Sequence, residues 1–148
     1  MPPSARSERG AAVLRVGFDT VVFVRALIYP GNWAGQLVFA RGGSYRLIVS
    51  APLVAEYLEV LFRSTLRAKY RTLGTTDLDQ IRTIIRAAEA VAVDTLPEFA
   101  RDPADAPVLA TAVAGGVDYI VSEDRDLLDL KTYAGIPIVT VQAFLGAL

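Results

Sequence analysis

The chain of 148 residues contains no cysteine and no histidine. Without cysteine there is no disulfide framework. Without either residue, Ser-His-Asp and Cys-His catalysis cannot be assembled, and the usual zinc sets are out of reach. Any metal site must use oxygen donors, which suit Mg²⁺ or Mn²⁺ better than softer ions. Long apolar runs are also lacking: none approaches the roughly 18–20 residues that span a bilayer. The opening MPPSARSERG is polar and lacks the apolar core and cleavage site of a signal peptide. Residues 1–11 are therefore expected to form a loose tail, residues 12–148 one domain, and the protein is expected in the cytoplasm. Charge of one sign is scarce as well. The formal net charge is −1, so nucleic acid could be met only by a local basic patch.

What is present is apolar: 53% of the residues are hydrophobic. A domain of this size buries roughly 70% of its extended-chain surface, so the core needs no staple. Short apolar strand-like runs alternate with helical spacing. Val13 to Phe18 reads as a strand ending at Asp19, and Val21 to Ile28 as a buried helix stopped by Tyr29-Pro30-Gly31. Asn32 is placed to cap a second helix running to about Arg41, before Gly42-Gly43. Arg46 to Val49 is a second strand. Ser50 caps the next helix with Pro52 in its first turn. Leu53, Tyr57, Leu58, Leu61 and Phe62 carry that helix to about Arg67. Thr76 caps another, with Leu78, Ile81, Ile85 and Ala88 on one face.

Val91 to Val93 is a short strand candidate. An Ala-rich helix follows Pro103 and ends at Gly115-Gly116. Tyr119 to Ser122 and Ile136 to Val139 are strands, with short helices from Asp124 to Leu130 and from Val141 to Leu148. Apolar strands separated by helices predict an α/β fold: a mostly parallel sheet covered on both faces. Ligands in such sheets bind beyond the C-terminal ends of the strands. Asp19 and Asp124 stand at two such ends.

Four acids sit where a core-lining residue would otherwise be expected. Besides Asp19 and Asp124, Glu56 borders the apolar face of its helix, and Asp105 opens the Ala-rich helix. Two carboxylates about 4 Å apart repel by roughly 4 kcal/mol at an effective dielectric of 20. A divalent cation would reverse that cost. Each acid also has a plainer reading as a turn, helix-dipole, solvated or capping residue. Gly115-Gly116 follows a helix rather than preceding one, so it is not a phosphate loop. Asp19-Thr20-Val21 lacks the second Asp of a haloacid-dehalogenase-type phosphatase, although a metal-dependent phosphatase on another α/β fold stays open.

Val-Gly-Phe-Asp19-Thr20, Ser50-Ala-Pro-Leu-Val-Ala-Glu56-Tyr, Asp102-Pro-Ala-Asp105-Ala-Pro-Val-Leu-Ala and Asp118-Tyr-Ile-Val-Ser-Glu-Asp124-Arg-Asp126-Leu-Leu occur in this order. Together they resemble the PIN domain, and in particular the VapC-type ribonuclease toxins of type II toxin–antitoxin systems. The resemblance covers about residues 14–145. It implies a three-layer α/β/α sandwich and a Mg²⁺- or Mn²⁺-dependent endoribonuclease. Carried over residue by residue, the catalytic and metal-binding acids are Asp19, Glu56, Asp105 and Asp124, with Asp126 as a fifth. Asp19 and Asp105 would be the primary ligands, and Glu56 and Asp124 would hold water or a second metal. Thr20 and Ser122 match small hydroxyl positions near the substrate.

The resemblance also implies an antitoxin partner, with an arginine suited to the acid pocket, and a homodimer through residues 21–40 or 53–62. Val21 stands where the family usually has Asn. That departure motivates a second reading, a catalytically weakened PIN-fold module that binds RNA or a partner. Glu123 adds a further negative charge beside Asp124. The densest basic stretch, Arg63, Arg67, Lys69 and Arg71 with Tyr70 among them, is the candidate RNA contact. Its plainer reading is a solvated helix end. Trp33 is expected to pack.

Overall fold

The computed structural model describes residues 13–63, 75–97 and 103–148, apart from the side chains of residues 75–77. The expected tail, and Arg67, Lys69 and Arg71 with Tyr70 among them, lie outside the described residues.

Six strands form one sheet in the order β3-β2-β1-β4-β6-β5. They are β1 Leu14–Phe18, β2 Tyr45–Val49, β3 Glu89–Ala90, β4 Tyr119–Val121, β5 Thr132–Tyr133 and β6 Ile136–Val139. All neighbouring pairs are parallel except β5 with β6. The helices are α1 Thr20–Ile28, the short α2 Trp33–Gly35, α3 Ala51–Leu61, α4 Thr75–Ala87, α5 Ala106–Gly115, α6 Arg125–Leu130 and α7 Val141–Ala147.

Alternation along β1 divides the molecule into layers. Phe18 faces an aromatic cluster, with its ring 5.7 Å from Phe23 of α1 and 5.4 Å from Tyr45 of β2. Phe144 of α7 joins Tyr45 and Tyr119 at 5.8 and 5.6 Å. Such edge-to-face pairs add specific attraction to area burial. The preceding residue, Gly17, faces the other way, where Val108 of α5 comes within 3.8 Å of the place a Cβ would occupy. Helices thus cover both faces, which gives the three-layer α/β/α arrangement.

The same contacts orient α5. Its C-terminal Gly115 carbonyl accepts from the Arg15 guanidinium at 2.8 Å, near the start of β1. Its first turn lies over Gly17, near the end of β1. The left-handed Gly116 (φ 57°) terminates it.

Several elements differ from their sequence expectation, each for a visible reason. The helix from Asn32 does form its cap, the Gly35 amide donating to Asn32 Oδ1 at 3.2 Å. Beyond Gly35, however, Gln36–Ala40 winds as a π-turn. The Leu37 carbonyl is taken by the Tyr45 hydroxyl at 2.9 Å, and the Arg41 amide donates to Gln36 instead, at 3.0 Å. Gly35 is required there, because a Cβ would stand 1.8 Å from the Pro30 carbonyl oxygen. Helix α3 stops at Leu61 rather than Arg67. Phe62 leaves helical geometry (φ −101°, ψ 11°) and lies under the Arg82 guanidinium, 4.6 Å from its ring centroid. Thr76 falls inside α4 rather than before it. Strand β3 is Glu89–Ala90, not 91–93, although the Val91 amide still donates to Val49 at 2.8 Å.

Candidate active site

The chain passes from β1 out to β2 and β3 on one side, then returns to β4 on the other. The C-terminal ends of β1 and β4 therefore form the switch point, the place where open α/β sheets leave a crevice for ligands. Asp19 leaves β1 there, and its amide donates to the Val121 carbonyl of β4 at 2.9 Å. Ser122 leaves β4 there. Its buried hydroxyl donates to Asp19 Oδ2 at 2.9 Å and accepts from the Asp124 amide at 2.9 Å. One serine thus ties two of the acids together.

Asp19 is buried, with 7% exposure. Its pKa is pushed from 3.8 up to about 6. Burial is the largest cause. The Ser122 hydroxyl opposes it, the Asp124 carboxylate adds to it, the Thr20 amide opposes it, and the Glu56 carboxylate adds again. Among the described residues neither Asp19 nor Asp124 has a salt bridge. The crevice therefore disfavours its own negative charge.

Glu56 is half-buried on α3. Its neighbour Tyr57, fully buried, donates its hydroxyl to the Phe18 carbonyl, one residue before Asp19. That bond fixes the register of α3 against the end of β1 and sets Glu56 within charge range of Asp19. Sequence reading treated Tyr57 only as a core residue; its polar tip beside an expected site acid was the signal. Burial and the nearby Asp19 charge both push the Tyr57 phenol well above its usual range.

Asp124 is half-buried and begins α6, its Oδ1 accepting from the Asp126 amide at 2.9 Å. The plain capping reading of this carboxylate is thus realised. Asp126 is exposed in the first turn of α6. Asp105 closes the 3₁₀ turn Pro103–Asp105 ahead of α5 and is 3% exposed. The orientation of α5 sets it at the same sheet edge as Asp19. Thr20 is buried at the first position of α1, and Ser122 is fully buried. Val21 is half-buried beside them.

Two expectations look different in three dimensions. Glu123 is committed to the fold: its Oε1 accepts from the Val141 amide at 3.1 Å at the start of α7. Trp33 is 51% exposed rather than packed. Arg63 is exposed and pairs with Glu59 at 3.5 Å.

Among the described residues no three of the acidic side chains stand close enough to form a ready-made metal shell. The donor set still fits a hard cation in kind, being carboxylate throughout and electrostatically short of positive charge. Mg²⁺ commonly keeps several waters and takes only one or two protein carboxylates directly, so a closed cage is not required.

The fold and this edge define a class. The model of the PIN domain matches residues 15–126, and the chain belongs to the PIN-domain family. PIN domains are generally nucleases and usually use divalent metals. Two solved structures share the fold. PAE2754 from Pyrobaculum aerophilum is 14% identical, with a TM-score of 0.56 over 91% of this chain and 88% of that one. VapBC2 from Rickettsia felis, solved bound to a DNA fragment from its promoter, is 8% identical, with a TM-score of 0.53 over 86% of this chain and 98% of that one. No curated protein sequence matches the chain. Among the described residues no helix is long and apolar enough to cross a membrane.

Proposed function

We propose that this protein is a Mg²⁺- or Mn²⁺-dependent endoribonuclease, the toxin of a type II toxin–antitoxin pair. The observation that carries the reading is Asp19. It is a buried carboxylate at the switch point, raised to about 6 by burial and by Asp124 and Glu56, in a family of nucleases. An isolated protein gains nothing from concentrating acids in a desolvated crevice. A divalent cation and the phosphodiester it binds turn that cost into affinity.

Asp19 and Asp105 would hold the ion, with Glu56, Asp124 and the outlying Asp126 holding its waters or a second ion. When bound, the metal supplies a water of lowered pKa and a counter-charge for the phosphoryl oxygens. The chain's own residues set the stage. Ser122 spends its proton on Asp19, which orients that carboxylate and keeps it anionic. Asp124 has one oxygen committed to the Asp126 amide, leaving the other for the crevice. Glu56 is the half-buried acid best suited to accept a proton from an attacking water. Thr20 and Ser122 border the scissile phosphate, and Arg63, Arg67 and Lys69 would take flanking phosphates.

The likeness to VapBC2 supports an antitoxin partner, whose arginine could pair with the acids when RNA is absent. RNA and antitoxin both imply a cytoplasmic protein. A homodimer is also expected, and both candidate faces expose large apolar side chains, Tyr29 and Trp33 within residues 21–40 and Leu58 within residues 53–62. Purified protein should cleave an RNA pool only with Mg²⁺ or Mn²⁺, and Asp19→Asn should abolish the cleavage. Identical behaviour of the two proteins would refute the reading.

Val21 supports a second reading, an RNA- or partner-binding module with weakened catalysis, because an apolar side chain stands half-buried beside Asp19. Retained RNA binding without metal uptake would favour it.

A further inference from the structure

A small cavity lies beside the acidic edge, reaching it through Glu123. It encloses about 230 Å³ and is lined by Arg25, Asn32, Trp33, Glu123, Thr140 and Gln142. It touches the β4–α6 loop at Glu123, which stands between Ser122 and Asp124. The walls come from α1, the turn before α2, and the start of α7. Polar and apolar groups share the lining about equally, with one exposed indole.

Two of the polar groups are already occupied by the fold. Glu123 accepts from the Val141 amide at 3.1 Å, and Thr140 Oγ1 accepts from the Ala143 amide at 3.1 Å. Others are not. Arg25 is exposed and makes no ion pair among the described residues. Asn32 uses its oxygen on the Gly35 amide, which leaves its NH₂ group to donate. Trp33 is 51% exposed, which leaves a face of its indole open. A flat ring, a guanidinium and amides around a small cavity match one nucleotide: stacking for the base, a cation for the phosphate, and donors for a base edge.

Resting on the nuclease reading above, we propose that this cavity binds a single-stranded nucleotide flanking the scissile bond. The base stacks on Trp33 and its phosphate pairs with Arg25. Sharing the β4–α6 loop couples the subsite to the acids: a strand seated on Trp33 passes directly to Asp19 and Asp124. It also supplies positive charge at an edge where the acids alone would repel RNA.

Trp33 is the only tryptophan in the chain, so the protein carries its own reporter. The wild-type chain is titrated in EDTA with a short single-stranded RNA while its fluorescence is followed. Cleavage of the same RNA in Mg²⁺ is measured in parallel. The proposal expects quenching on binding, Trp33→Ala weakening affinity about tenfold, and Trp33→Phe recovering most of that loss. Arg25→Gln should lower the slope of log K against log salt by about 0.7. Circular dichroism checks that these surface variants stay folded.

If the wild type binds and cuts RNA while its fluorescence is unchanged and Trp33→Ala binds equally well, the subsite is wrong and the nuclease reading stands. If the wild type neither binds nor cuts RNA, the nuclease reading fails and takes the subsite with it. If the fluorescence responds only to protein concentration and Trp33→Ala abolishes self-association, the face is a protein interface and the subsite is wrong.

Discussion

The two ends of the central sheet treat charge in opposite ways. At the N-terminal edge, Arg15 is nearly buried, with 12% side-chain exposure, and its hydrogen-bonding groups are met. Its guanidinium grips Glu89 through two bonds of 3.0 and 2.7 Å and donates twice to the Gly115 carbonyl. Its backbone amide donates to Asp118 Oδ2 at 2.8 Å. Arg46 approaches the same Glu89 at 3.8 Å. Three strands and the end of α5 are tied together there. At the C-terminal edge, Asp19, Asp124 and Glu56 bring like charges into a crevice with no cation from the described residues close to Asp19. One edge is arranged for the stability of the chain alone. The other concentrates like charge around a buried carboxylate.

The largest expected effect lies at the acidic edge. Asp19→Asn should reduce RNA hydrolysis by about 10³-fold or more, as loss of several kcal/mol of transition-state stabilisation implies. The same variant should make the metal-free protein more stable, read as a higher melting temperature at pH 7.5. A loss of both activity and stability would mean that Asp19 is a structural residue like Arg15.

Arg15→Ala is the mirror experiment. It should cost about 2 kcal/mol in urea unfolding, because it takes two hydrogen bonds from Glu89 and leaves a helix-end carbonyl unmet. Activity per folded molecule should stay unchanged.

The pH dependence of the metal-free protein sharpens the contrast. Asp19 titrates near 6 when folded and near 3.8 when unfolded, so its burial costs nothing below about pH 4. As pH rises from 4 through 6 the unfolded chain releases the proton first, and stability falls. The loss is about 2–3 kcal/mol by pH 7. Mg²⁺ should remove the decline, and Asp19→Asn should lack it. Denaturant melts at stepped pH, with and without Mg²⁺, measure all three.

Ser122→Ala should have a smaller effect. The Ser122 hydrogen bond lowers the Asp19 pKa, so its removal should move the acidic limb of the pH–rate profile upward and cut the rate about tenfold near neutrality. The smallest effect is expected from Ser50→Ala. It loses the cap of α3, a 3.4 Å bond to the Leu53 amide, and the contact to Thr111 at 2.6 Å. About 1 kcal/mol of stability should go, with little change in catalysis.

Much of this was legible in the sequence because it rests on local rules. Apolar runs marked β1, β2, β4 and β6, Asn32 and Ser50 marked helix starts, and Gly115-Gly116 marked a helix end. The apolar pattern alone sets Asp19 at the end of one strand and Asp124 just beyond another. What was not legible depends on distant partners. The π-turn after Gly35 exists because Tyr45, far along the chain, takes the Leu37 carbonyl. Strand β5 is two residues long and is shaped by positive φ at Lys131, Ala134 and Gly135, which leaves almost no apolar pattern to read. Glu123 read only as a further negative charge beside Asp124, and its contact with the Val141 amide of α7 was not foreseen. Trp33 carried the composition of a core residue and the position of a surface one; only the fold decides between them. Nor does the Coulombic reach of Glu56 follow from helical spacing alone. It needs the Tyr57 hydroxyl bond that docks α3 on β1.

The central claim is that the acidic edge is completed by a divalent cation. Calorimetric titration of the metal-free protein with Mn²⁺ at pH 6, where Asp19 is about half protonated, tests it most directly. Binding should release protons, scale its heat with the buffer's ionisation enthalpy, and be lost in Asp19→Asn while Arg15→Ala still binds. No uptake of Mn²⁺ by the wild type, or equal uptake by wild type and Asp19→Asn, would contradict it.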